Sequence, residues 1–147
     1  MAEGLTGVTL LYLIKQVELA VRSSLDEVTG VRGLTSLQYT ALTVLERHPG
    51  LTSAALARNS FVRAQTMAQM ITVLEERELI ERAPDPVSRR QYLLSLTPLG
   101  QELLDSLRQD VAAVEARMVS GLAEHEIAGL RHGLRSCRLS LGGGDPH

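Results

Sequence analysis

One cysteine, no tryptophan and a single lysine are what this 147-residue chain has least of. Cys137 alone supports neither an intrachain disulfide framework nor a cysteine-rich zinc site. Aromatic residues make up 3%, too few for the stacking platforms that hold single-stranded nucleic acid. No apolar run reaches the roughly 18 residues of a membrane-spanning helix, so no membrane partner is expected. The opening segment, MAEGLTGVTLLYLIKQ, lacks the basic stretch and small-residue cleavage site of a secretory signal, and a cytoplasmic protein is expected. A net charge of −2 argues against a general polyanion binder but not against a locally positive contact surface.

Catalytic signatures are missing too. His48, His125, His132 and His147 have no metal-binding pattern: His125-Glu126 lacks the second histidine four residues on that a zinc helix needs. No glycine-rich phosphate loop, Gly-x-Ser-x-Gly elbow or paired-carboxylate constellation occurs. We therefore expect no metal, no cofactor and no enzymatic activity.

What is present is helical. Leucine and alanine are abundant and apolar positions recur every three or four residues. The length suits one domain, 1–147. Over 5–28, Leu10, Ile14, Val17, Val21, Leu25 and Val28 share a face, and the loop Gly30–Gly33 should end that helix. Thr35 and Gln38 have capping-box spacing. They open a second helix with Leu37, Ala41, Leu42 and Leu45 as its stripe, stopped at His48-Pro49-Gly50. Thr52 caps a short helix with Ala55 and Leu56 inward, ending near Asn59-Ser60. From Arg63 to about Arg77 a longer helix buries Met67, Met70, Ile71 and Leu74 and turns Gln65, Gln69 and Thr72 outward. Leu79–Arg82 and Gln91–Leu96 read as strands joined through Pro84-Asp85-Pro86, where regular structure should stop. Thr97-Pro98 signs another helix start. That long helix carries Leu99, Leu103, Leu107, Val111, Val114 and Met118. After Gly121 a last helix, roughly Glu124–Leu139, carries Ile127, Leu130, Leu134 and a buried Cys137. The tail over 141–147 should be disordered.

This is a mainly α fold with a small β-hairpin (α+β). Helix, turn, helix and hairpin over 35–96 form a winged helix-turn-helix lobe. The helices at 5–28 and 97–140 are too apolar to lie exposed, and a second copy covers a long terminal helix better than one chain does. In such a lobe the front of the second helix enters the major groove of double-stranded DNA. Here that front is Arg63, Ala64, Gln65, Thr66 and Gln69. Glutamine suits an adenine edge, and the methyls of Ala64 or Thr66 suit thymine. Glu75, Glu76 and Glu78 repel phosphate and close off the back half. The Arg58–Arg90 stretch holds six arginines against five acids, so the charge is placed rather than abundant: Arg63 and the pair Arg89/Arg90 flank the contact surface. Of the 15 basic residues 14 are arginine, which suits phosphate and guanine, although a GC-rich genome produces the same bias.

Three segments, LTSLQYTALTVLERHPGLTSAALA, RAQTMAQMITVLEERELIER and DPVSRRQYLLSLTPLGQELL, resemble the MarR-type transcriptional regulators, and the likeness runs over nearly the whole chain. It implies a homodimer whose first and last helices form the dimerisation module. It also implies a repressor on a pseudo-palindromic operator, released by a small phenolic or anionic effector bound between those helices and the lobe. Tyr12, Lys15, Tyr39 and Arg47 are the polar candidates for that pocket. The family's wing often reads Asp-x-x-Asp-Arg-Arg; here Asp85 is kept but Ser88 replaces the second acid, putting the carboxylate–arginine brace of the wing in doubt. Two other readings stand beside this one: a winged helix used for protein–protein contact without DNA, and a cysteine-based redox sensor using Cys137.

Overall fold

The computed structural model describes residues 7–142. Six helices and one hairpin follow in order: α1 (Leu10–Gly30), α2 (Ser36–Arg47), α3 (Ser53–Asn59), α4 (Ala64–Glu76), β1 (Ile80–Pro84), β2 (Tyr92–Leu96), α5 (Pro98–Met118) and α6 (Glu124–Ser140). Among the described residues no helix is long and apolar enough to cross a membrane.

Threonine caps set most of the helix starts. The hydroxyls of Thr9, Thr35, Thr52 and Thr97 accept the backbone N–H three residues on, satisfying one of the orphan donors at each end. The Thr35–Gln38 capping box forms reciprocally, both bonds at 3.0 Å. The first expected helix begins at Leu10, and residues 5–6 lie outside the described ones. It also runs on through Thr29 and Gly30. Thr29 is fully buried, and its hydroxyl donates to the Leu34 carbonyl at 2.9 Å. That bond folds the loop back under the helix, so Gly30 closes the last turn instead of breaking it.

The core sits in the lobe, where α2, α3, α4, the hairpin and α5 meet around Leu42, Leu45, Leu56, Met67, Leu74 and Leu104. The stripe expected on α4 is buried as read. Three expected stripes shift. In α2, Val44 is buried and Leu37 is not; a first-turn side chain leans toward the helix N-terminus and overshoots the core edge. In α3, Ala57 is buried beside Leu56, and Ala55 is only half-buried. In α5, Leu104 packs into the lobe with Leu107 and Val114 is buried on the side of α1, while Leu99 and Met118 are exposed.

The hairpin is antiparallel, pairing Ile80 with Leu96 and Pro84 with Tyr92. β1 thus continues two residues past Arg82, through Pro84. Pro84 sits in the last pair of an edge strand, where a missing N–H is tolerated. On its other side β2 is bridged to Leu51, whose carbonyl accepts from Leu94 N–H at 2.7 Å.

Gly100 explains the Thr-Pro-Leu-Gly start of α5. A Cβ there would lie 2.2 Å from the Leu79 carbonyl oxygen, a backbone atom that cannot step aside. Alanine improves helix propensity by about 1 kcal/mol, but overpacking costs about 1–3 kcal/mol, and at this separation the clash wins. Gly100→Ala is expected to lower stability by about 1–2 kcal/mol net, read by urea unfolding. A midpoint at or above wild type would show that α5 moves freely against β1.

α1 and α6 are only partly covered. Val21, Leu25 and Val28 of α1 are half-buried against the body, but Leu10, Ile14 and Val17 of the same stripe are exposed. α6 has no fully buried residue. Leu130 and Leu134 are exposed along a groove shared with Met118 of α5 and Val119, its C-cap. Cys137 is exposed as well, against the expected burial: the helix stands off the lobe, so one protomer has nothing to cover it. Leu141 is the C-cap of α6, Gly142 follows, and the rest of the expected tail lies outside the described residues.

Candidate nucleic-acid interface

Arg63 is the N-cap of α4 and makes no side-chain cap bond, since a guanidinium carries only donors and cannot serve the free N–H groups there; the residue is exposed. Ala64, Gln65, Thr66 and Gln69 follow on the exposed side, opposite Met67 and Met70. The α3–α4 turn is held by Val62 N–H donating to the Ala57 carbonyl at 3.1 Å. Phe61 takes a left-handed conformation there, φ 62°, and the residue is 78% exposed.

The tip of the wing is organised by Asp85. Its carboxylate accepts the Val87 N–H at 2.9 Å, and the loop closes through Asp85 N–H to Gln91 C=O and Gln91 N–H to Ser88 C=O, both at 3.0 Å. Asp85 therefore shapes the loop through the backbone. No ion pair joins it to Arg89 or Arg90 among the described residues. Both arginines are exposed.

Between α3, α4 and the wing lies a groove of about 500 Å³ with Ile71 and Leu94 at its floor. Thr52, Thr72, Arg82, Arg90 and Tyr92 bring polar groups to it. Reading the sequence by periodicity missed this cluster. Arg82 Nε donates to Glu75 Oε2 at 2.9 Å, and a second guanidinium nitrogen pairs with Oε1. The same guanidinium lies 5.4 Å from the Tyr92 ring centroid. Hydrogen bonding to Glu75 raises the Arg82 pKa above its ordinary value. Glu75 is thus not a bare repulsive charge, as the helix sequence suggests. Its partner is seven residues away on β1, and because the helix ends at Glu76 no helical or strand period links the two. A second missed contact is Arg77, the C-cap of α4, which donates to the Gly33 and Arg32 carbonyls at 2.7 and 2.9 Å. It ties the back of α4 to the α1–α2 loop.

The expected effector residues are dispersed in one protomer. Tyr39 is half-buried on α2, and burial raises its pKa. Arg47 and Arg108 act on it electrostatically. Nearby, Glu46 pairs with Arg108 and accepts from Gln101 at 2.6 Å; the Arg108 hydrogen bond leads in holding its pKa below the ordinary value. Tyr12 and Lys15 lie on the exposed first half of α1, where Lys15 pairs with Glu18 at 3.6 Å. Among the described residues no cluster of three or more His, Cys, Asp or Glu is placed to hold a metal ion.

Comparison with known proteins bears on this arrangement. Residues 32–91 match the MarR family model. An HTH-type transcriptional repressor of Mycobacterium tuberculosis is 31% identical over 111 residues, covering 76% of this chain and 80% of that protein. A protein of Thauera aromatica assigned to regulation of the hcr operon is 32% identical over 107 residues, 73% of this chain; the chain spans 64% of that relative's length. Among solved structures, a Staphylococcus aureus MepR–DNA complex superposes with a TM-score of 0.82 at 24% identity, over 91% of this chain and 99% of that one. CouR of Rhodococcus jostii, in complex with a DNA duplex, gives 0.80 at 26% identity, over 88% and 92%. The helix-turn-helix, the hairpin wing and the terminal helices are arranged as in those proteins, and the chain belongs to the MarR family of transcriptional regulators.

Proposed function

We propose that this protein is a homodimeric, sequence-specific DNA-binding repressor that binds a pseudo-palindromic operator. The observation that carries the reading is the pairing state of the charges around α4. Arg63, Arg89 and Arg90 are exposed on the front of the helix and the wing, and none forms an ion pair among the described residues. Of the acids near this surface, Glu75 is occupied by Arg82 and Asp85 accepts the Val87 N–H. In this reading Gln65, Thr66, Gln69 and Ala64 meet base edges in the major groove. Arg63 contacts the backbone, and the wing arginines lie along the minor groove. The relatives named repressors and the neighbours solved with DNA support it.

Two copies are needed because one helix reads few base pairs. The exposed apolar residues of α1 and α6 are the surface that would hold them together at about one helical turn of separation. A small effector acts by preferring another separation. CouR has been solved with p-coumaroyl-CoA and PcaV with its natural ligand. Here the effector would be phenolic or anionic and sit between the dimerisation helices and the lobe, drawing on Tyr39 and Arg47, with Tyr12 and Lys15 brought in by the dimer.

A salt titration on random duplex DNA tests the core of this. Six arginines per dimer on phosphate correspond to a slope of log K against log [salt] of roughly −5. Failure to bind at low salt, or binding insensitive to salt, would move the assignment to a protein–protein module.

A further inference from the structure

We propose that Glu75, Arg82 and Tyr92 form a brace that fixes the wing against α4 and so positions Arg89 and Arg90; this rests on the DNA-binding reading above. Three observations carry it. Arg82 and Tyr92 occupy the same face of the hairpin, since Tyr92 pairs with Pro84, two residues along β1 from Arg82. The inner end of that face is anchored in the core by Ile80 and Leu94. Its outer end is only partly covered: Tyr92 is half exposed, and Pro84 and Arg82 are exposed. From the Arg82–Leu94 pair outward the wing therefore depends on polar contacts for its angle.

The bidentate Arg82–Glu75 pair is the contact that crosses from the hairpin to α4 at that end. Its geometry is specific because a planar guanidinium meets a carboxylate edge to edge, and the Tyr92 ring backs the guanidinium. Partly exposed ion pairs contribute little to global stability, so setting an angle is the role that suits it. Within the loop, Ser88 stands where a second acid could have braced the arginines, and Asp85 is engaged with the Val87 N–H. A brace from α4 takes over that job. Glu75, Arg82 and Tyr92 are positioning residues, and the contacts with DNA belong to Arg89 and Arg90.

Glu75→Gln separates this from plain electrostatics. Removing an acid beside a DNA surface should tighten binding if charge alone matters. The brace requires the opposite: about tenfold weaker binding to duplex DNA. It also requires non-additivity, with Arg90→Ala costing much less in the Glu75→Gln background than in wild type, because the wing is already misplaced. Exchanging the two charges, Glu75→Arg with Arg82→Glu, should recover part of the loss. A DNA-free measurement runs alongside on the full-length protein: amide hydrogen exchange over 82–92 should accelerate about tenfold in Glu75→Gln, with α5 unchanged. Unchanged exchange over 82–92 overturns the brace, whether or not the protein binds DNA. Faster exchange with equal or tighter DNA binding, or strictly additive losses, overturns its role in positioning the arginines. Wild-type protein that binds no duplex while exchange still accelerates would refute the DNA reading and the positioning role, and leave the brace as a wing support.

Discussion

Replacing Arg89 and Arg90 together by alanine is expected to weaken binding to duplex DNA about 100-fold or more at ~0.1 M salt, with the folded dimer intact. Both side chains are exposed and neither forms an ion pair among the described residues. Binding DNA therefore breaks no internal ion pair of theirs, and the full attraction appears as affinity. The substitution removes four charges per dimer. The salt slope should fall by roughly three to four, about 0.9 for each phosphate no longer neutralised. Surface changes away from packing usually move stability by no more than about 0.5 kcal/mol, and the loop keeps its own backbone bonds through Asp85, Ser88 and Gln91. Anisotropy with a labelled duplex reads the affinity, and thermal unfolding checks the fold. Affinity within about threefold of wild type would mean the wing does not touch DNA.

Leu134→Asp should convert the dimer to a monomer and lower operator affinity by about 10²–10⁴, the avidity lost when two linked half-sites become one. Leu134 is 49% exposed on α6 and lines the groove against α5, on the same side as Ile127 and Leu130. Ile14 on α1 is 49% exposed. Exposed apolar residues thus recur along the first and last helices, where a second copy can cover them. In a two-fold interface the charge enters twice and is desolvated on both sides. Leu134 is outside the lobe core, so helicity and the lobe's unfolding should persist. Sedimentation at micromolar concentration decides: a dimer of unchanged mass would place the interface elsewhere.

The wing illustrates how far residue patterns reach. Ile80 and Leu94 are readable as strand core, and Pro84-Asp85-Pro86 as a turn, from local chemistry alone. The brace was not, because Glu75 and Arg82 belong to different elements and meet only when β1 folds back on α4. From the helix sequence, Glu75 reads as a charge that repels phosphate. The same limit explains α5. Its apolar residues populate more than one side, and nothing in the periodicity says that Leu104 faces the lobe while Leu99 and Met118 do not. Cys137 reads as buried because it shares a stripe with Ile127, Leu130 and Leu134, and of that stripe only Ile127 is even half-buried in one protomer.

By itself, then, the sequence determined the local events. The threonine caps at 35, 52 and 97, the stop at His48-Pro49-Gly50, the buried face of α4 and the exposed polar front with its arginines are decided within a few residues, by hydrogen bonds and by helical period. Tertiary structure decided what depends on neighbours distant in the chain. It set which half of each apolar stripe is covered, why residue 100 must be glycine, and which acid neutralises which arginine. These outcomes turn on packing one element against another, at distances no local pattern encodes.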